Sequence, residues 1–145
     1  MKVDLTELSN IEGVTESFIF KKGGELLLPR LPYTDARIEH IGREVALCST
    51  LLEKIKQKVD FFELIYNDSH VIVRVSSNFF IMVVCENTAD TTLVKLTLNV
   101  IHEEVKVDND LQKSLRKSAG TENLLIEAQS NSELQELFKK IKITA

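Results

Sequence analysis

The stretch TDARIEHIGREVALCSTLLEKIKQKV, Thr34–Val59, decides how this chain folds. Ile38, Ile41, Val45, Cys48, Leu52, Ile55 and Val59 recur at spacings of 3, 4, 3, 4, 3 and 4. That rhythm is an amphipathic helix with one unbroken apolar stripe. Thr34 or Asp35 offers a side-chain oxygen to cap its N-terminus. Leu47 and Leu51 form a second, narrower apolar line beside the stripe, continued at its ends by His40, Glu44 and Lys54. Two lines suit two partners, a sheet for the first and another helix for the second. A single thick core that takes both is the other reading. Arg37 and Arg43 fall on the exposed side, where they serve either an acidic partner or solvent.

Upstream, residues 4–12 read as a short helix on Leu5, Leu8 and Ile11, closed by Gly13, since glycine accepts the left-handed backbone of a helix C-terminus. Val14–Phe20 follows as a strand, with Val14, Phe18 and Phe20 on one face and Glu16 the exception. Lys21-Lys22-Gly23-Gly24 turns it into Leu26–Leu28, a hairpin that Pro29 and Pro32 stop. Downstream come three strands in a meander, Phe61–Tyr66, Val71–Val75 and Phe79–Cys85. The last is continuously apolar, as a strand covered on both faces is.

Residues 90–106 carry two periods. Val94, Leu96, Leu98 and Val100 alternate as in a strand, whereas Val94, Leu98, Ile101 and Val105 are spaced as in a helix that Asp90 or Thr91 would cap. Pattern alone leaves both open. Beyond lie two more helical stretches, Leu111 and Leu115 closed by Gly120, and Leu134, Leu137, Phe138 and Ile141 opened by Ser132 and Glu133. The short apolar run Leu124–Ile126 lies between them.

The chain has 145 residues, 43% hydrophobic and 28% charged, which suits one domain with an appendage. Residues 1–106 hold 16 acids and 12 bases, and residues 107–145 six of each, so the net charge of −4 belongs to the first part. The expected division is therefore 1–106 as a core domain and 107–145 as a helical C-terminal extension. An acidic balance lacks the basic footprint of a nucleic-acid binder. No apolar run reaches the ~18 residues of a membrane span, and Met1–Asn10 has two acids and no apolar block, so neither membrane insertion nor a secretory leader is expected. Cys48 and Cys85 sit inside apolar runs, as reduced thiols of a cytoplasmic protein do.

No catalytic constellation emerges. His40 and Glu44 lie four apart on the long helix, but no further ligand stands near them in sequence, so no metal is expected. His102-Glu103-Glu104 lacks the second histidine of a zinc-peptidase helix, and Gly23-Gly24 lacks the Gly-Lys-Ser/Thr of a phosphate loop. Phe61-Phe62 and Phe79-Phe80 read as core residues of strands. The expectation is a protein that is no enzyme and carries no cofactor.

The order of elements, with Ile11-Glu12-Gly13-Val14 before the first strand, Lys22-Gly23-Gly24 at the hairpin, the helix Asp35–Lys58, and Phe79–Cys85 followed by Leu93-Val94-Lys95, resembles the roadblock family. That family includes dynein light chains and regulators of small Ras-like GTPases. The likeness spans about residues 4–106. Thr92 stands where the family often has glycine. The resemblance implies an α+β fold, a five-stranded antiparallel sheet with the long helix on one face and two helices on the other, and it makes residues 90–106 a helix. It further implies a homodimer in which Phe61, Phe62, Glu63, Leu64, Ile65 and Tyr66 pair with their copies, while Leu47 and Leu51 meet the partner helix. The shared helix face, with Arg37, His40, Arg43 and Glu44, would dock a small Ras-like GTPase, and modulation of its GTP hydrolysis there is a further implication of the resemblance. The alternative is a monomeric sensor or ligand-binding module of profilin-like layout. The basic end around Lys139, Lys140 and Lys142 suits either an acidic partner surface or an ordinary helix terminus.

Overall fold

The computed structural model describes residues 3–32, 35–55 and 58–116, and the backbone of 141–144. The meander forms as its pattern requires. β3 (Phe61–Ile65), β4 (His70–Val75) and β5 (Phe79–Cys85) pair antiparallel, with Ile65 opposite His70 and Val75 opposite Phe80 at the two turns. β1 (Val14–Lys21) adds to the other edge of β5, and β2 (Leu26–Leu28) adds to β1. These five strands are joined by a sixth, β6 (Ile141–Thr144), on the outer edge of β3. The order across the sheet is β2-β1-β5-β4-β3-β6.

Helices cover both faces. Among the described residues, α2 (Ala36–Lys54) is the helix on one, over Phe18, Phe20, Phe62, Leu64, Val73 and Met82. α1 (Thr6–Ser9), α3 (Thr91–Val107) and α4 (Asn109–Leu115) cover the other, over Ile19, Phe61, Ile72, Ile81 and Val83. Alternate residues of β5 feed the two cores, because a strand points successive side chains to opposite faces. The fold is the α+β arrangement expected from the resemblance.

Several boundaries differ from the sequence reading, each for a local reason. α1 is a single turn, not the whole of 4–12. It ends at Asn10, and the chain winds through Ile11 to Gly13, whose φ of 93° is the left-handed region. A side chain at Gly13 would also strike Ala89, 2.8 Å from where its Cβ would lie. Val14 does not share a face with Phe18 and Phe20. The β1–β5 register shifts between Val14 and Glu16, and this bulge turns Val14 to the α1/α3 side. Asp35 caps α2, accepting from the backbone N–H groups of Arg37 (2.9 Å) and Ile38 (3.4 Å). α2 ends at Lys54, short of Ile55 and Val59. Ile55 is exposed, while Val59, past the helix end, still packs against the α2-side core.

The two-period stretch is a helix, α3, capped by the Asp90 side chain on Leu93 N–H. Burial shows which period governs. Val94, Leu98, Ile101 and Val105 are wholly buried, while Leu96 and Val100 stay 59% and 52% exposed. Asp108 then caps α4, and Leu111 and Leu115 enter the same core as α3. Ile141, expected at the end of the last helical stripe, begins a strand instead. Ile141, Ile143 and Thr144 are β-branched, and β3 offers them an open edge. Gly120, Leu124–Ile126, Ser132, Glu133, Leu134, Leu137, Phe138, Lys139 and Lys140 lie outside the described residues.

Candidate functional site

Two features stand where a partner would meet this molecule, the N-terminal half of α2 and the edge of β3. The Asp35 cap fixes where α2 begins and so which residues it turns outward. Arg37 forms a two-pronged ion pair with Glu16 of β1, Nη1 to Oε1 at 2.9 Å and Nη2 to Oε2 at 2.7 Å. The Glu16 carboxylate raises the Arg37 guanidinium further above its already high range. Glu16, the polar exception on β1, therefore has its reason in a helix 21 residues away in sequence. One turn on, His40 Nε2 lies 3.4 Å from Glu44, and the Tyr66 hydroxyl donates to Glu44 at 3.4 Å. Burial, and then the Glu44 charge, push the Tyr66 phenol upward, so it stays a donor. The structure thus brings Glu44 and Tyr66 together and binds Arg37 to β1. Arg43 lies beside a cleft of about 550 Å³ between α2 and the β1–β2 hairpin.

The second apolar line of α2 lies in this chain's own core. Leu47 keeps 6% of its surface, and half-buried Leu51 packs against the same cluster. Val45–Thr50 are all buried, including the polar Ser49 and Thr50, so the helix is enclosed at its centre. Thr50 satisfies its hydroxyl on the Ala46 carbonyl at 2.9 Å.

β3 is buried on both faces from Phe61 to Leu64, and only Ile65 is exposed. Its surprise is Glu63, 2% exposed on the α3 side. The carboxylate meets His70 Nε2 of β4 as a close ion-pair contact that lacks the alignment of a hydrogen bond, and Lys95 Nζ of α3 at 3.7 Å. A buried charge is tolerated when partners surround it. Sequence reasoning counted Glu63 only as part of a pairing strand. The signal was an acid centred in the apolar run FFELI, but its partners come from β4 and α3.

The remaining reactive groups serve packing. Cys85 donates its thiol to the His70 backbone carbonyl at 3.3 Å, and burial, with Glu63 nearby, pushes that thiol upward. A thiol so held is a poor nucleophile. His102 is buried against the Phe79 ring, 5.4 Å between centroids, and burial and then Arg74 hold it below its ordinary range. Among the described residues no group of three His, Cys, Asp or Glu side chains gathers as metal ligands do. Among them, too, no helix is long and apolar enough to cross a membrane.

A sheet with the long helix α2 on one face and α1 and α3 on the other is the roadblock arrangement, and comparison with solved structures agrees. The chain is similar to a Roadblock/LC7 domain from Streptomyces avermitilis, with TM-score 0.59 and 10% identity over 68% of this chain and 87% of that one. It is similar to MglB from Myxococcus xanthus, with TM-score 0.53 and 17% identity over 70% and 85% of the two chains. A third likeness is the gliding protein MglB from Thermus thermophilus, with TM-score 0.53 and 13% identity over 79% and 87%. No family model matches the sequence, and no curated protein matches it. At these identities the likeness is one of fold.

Proposed function

We propose that this chain is a non-catalytic cytoplasmic scaffold that binds a small Ras-like GTPase on the α2 face, two copies of the chain forming the platform. The roadblock fold carries the reading, with α2 the helix on one face of the sheet among the described residues. The family that the sequence resembles includes regulators of such GTPases, and the likeness in fold to two MglB proteins supports the same direction. The surface agrees. Arg37, Glu39, His40 and Arg43 are exposed on the first turns of α2 and mix both signs of charge. Mixed charge favours a chosen partner and a fast encounter more than raw affinity. Two buried thiols suit a reducing compartment.

The test is binding of the full chain to Ras-like GTPases of its own proteome, each loaded with GDP or with a non-hydrolysable GTP analogue. One nucleotide state is expected to bind better. Arg43→Glu should weaken that binding about tenfold, or ~1.4 kcal/mol. The double exchange Glu16→Arg with Arg37→Glu keeps the ion pair while reversing its charges, and should weaken binding as well. Equal binding in both states, unchanged by either variant, would refute the reading.

One observation favours a second reading, a monomeric ligand-binding module. The cleft beside Arg43 has apolar walls, Leu26, Pro29 and Ile38, and charged groups at Glu39 and Arg43. Its volume lies in the range of small-molecule sites. A metabolite that raises the melting temperature of the chain, with its effect abolished by Ile38→Trp, would support it.

A further inference from the structure

β3 is the strand through which two copies would pair, and its outer edge is already occupied. Ile141–Thr144 runs antiparallel to it in continuous register, from Phe61 opposite Thr144 to Leu64 opposite Ile141. Without β6, a row of backbone donors and acceptors would lie open along a strand that is buried on both faces. The centre of α2 is closed too, since Val45–Thr50 are buried within the single chain. Register adds a preference. It sets Lys142 opposite Glu63, residues of opposite charge. Two β3 strands paired symmetrically about Glu63 would set glutamate against glutamate, and like charges directly opposite oppose pairing.

We propose that Ile141–Thr144 is an intramolecular stand-in for a second copy of this chain. It caps β3, holds the chain as a monomer, and leaves before two copies pair through β3. The inference rests on the reading of the chain as a two-copy platform, and it makes that platform conditional. A strand of the same chain competes as an intramolecular group, whereas a second copy must bind from dilute solution, so at micromolar concentration the second copy is at a disadvantage. Anything that draws Ile141–Thr144 away, a bound partner included, exposes the edge and promotes the dimer.

The experiment compares the full chain with a Lys142→Pro, Ile143→Pro double variant by light scattering and by hydrogen exchange. Alternate residues of a strand point their N–H groups to a given neighbour, so two consecutive prolines remove a ladder donor whichever register face it lies on. The native chain should have the mass of one 16.5 kDa copy, with the amides of Phe61–Leu64 protected. The variant should dimerise about tenfold more tightly or better, with those amides protected again in the dimer. Lys142→Glu, which keeps every backbone donor, should shift the balance the same way and serves if the proline variant does not fold. A native dimer with Ile141–Thr144 still protected would overturn the inference, because a second copy would then use another surface, yet it leaves the platform standing. A variant that stays monomeric with β3 amides exchanging freely would overturn both the inference and the paired-strand dimer. GTPase binding, measured separately, would still test the partner.

Discussion

At position 42 a glycine lets the β1–β2 hairpin rest directly on α2. A Cβ there would lie 2.5 Å from the Gly24 carbonyl oxygen and 2.6 Å from the Phe20 ring. Gly24 meets it with a φ of 98°, and its own Cβ would lie 2.9 Å from the Gly42 oxygen. Glycine to alanine inside a helix ordinarily gains up to about 1 kcal/mol. Here overpacking against backbone reverses the sign, and Gly42→Ala should lower stability by about 1–3 kcal/mol in urea unfolding. A second residue sets a pH dependence. His102 is held below its ordinary value of 6.5, first by burial and then by Arg74, with Lys106 opposing its charge and Glu103 favouring it. The unfolded chain then binds the proton more readily, so stability is full above about pH 6.5 and falls as the pH drops toward the folded pKa. Unfolding at pH 7.5 and 5.5 should show this loss, and His102→Gln should shrink it. Neither effect was legible beforehand. Gly42 carries no signal in the helical spacing, and His102 stood out only as part of His102-Glu103-Glu104, which lacks the second histidine of a zinc-peptidase helix.

Among the elements, α2 was the most legible and still held a surprise. Its stripe follows from spacing, and its cap was narrowed to Thr34 or Asp35, of which the structure uses Asp35. Its second line was ambiguous because periodicity reports which residues are apolar, not how thick the core above them is. Leu47 lies in that core. α3 shows the reverse case. Two periods fitted residues 90–106, and burial of Val94, Leu98, Ile101 and Val105 chose the helical one. β1 was misread at one end because a bulge shifts the face by one residue, and a bulge has no period. β5 lies inside the sheet between β1 and β4 and feeds both cores. Its amides should therefore exchange last, at the free energy of global unfolding, ahead of β2 and α1 by several orders of magnitude. A fast-exchanging β5 would mean that the two cores do not unfold as one unit.

Across the whole molecule, sequence by itself determined the long helix, the hairpin and the meander, while the helix at residues 90–106 and the two-faced architecture were what the resemblance implied. Apolar spacing, turn residues and helix caps are local properties, and each core face needed only one complementary stripe. Tertiary structure decided the functional surfaces, because those depend on partners far away in the chain. Glu16 acquires meaning from Arg37, buried Glu63 from His70 and Lys95, and the edge of β3 from Ile141–Thr144. The last case reaches furthest. Strand propensity at Ile141–Thr144 is short and weak, and a helical stripe claimed its first residue. An unpaired edge beside a buried strand outweighs so slight a local preference, because open backbone groups at that edge cost more than the helix would gain.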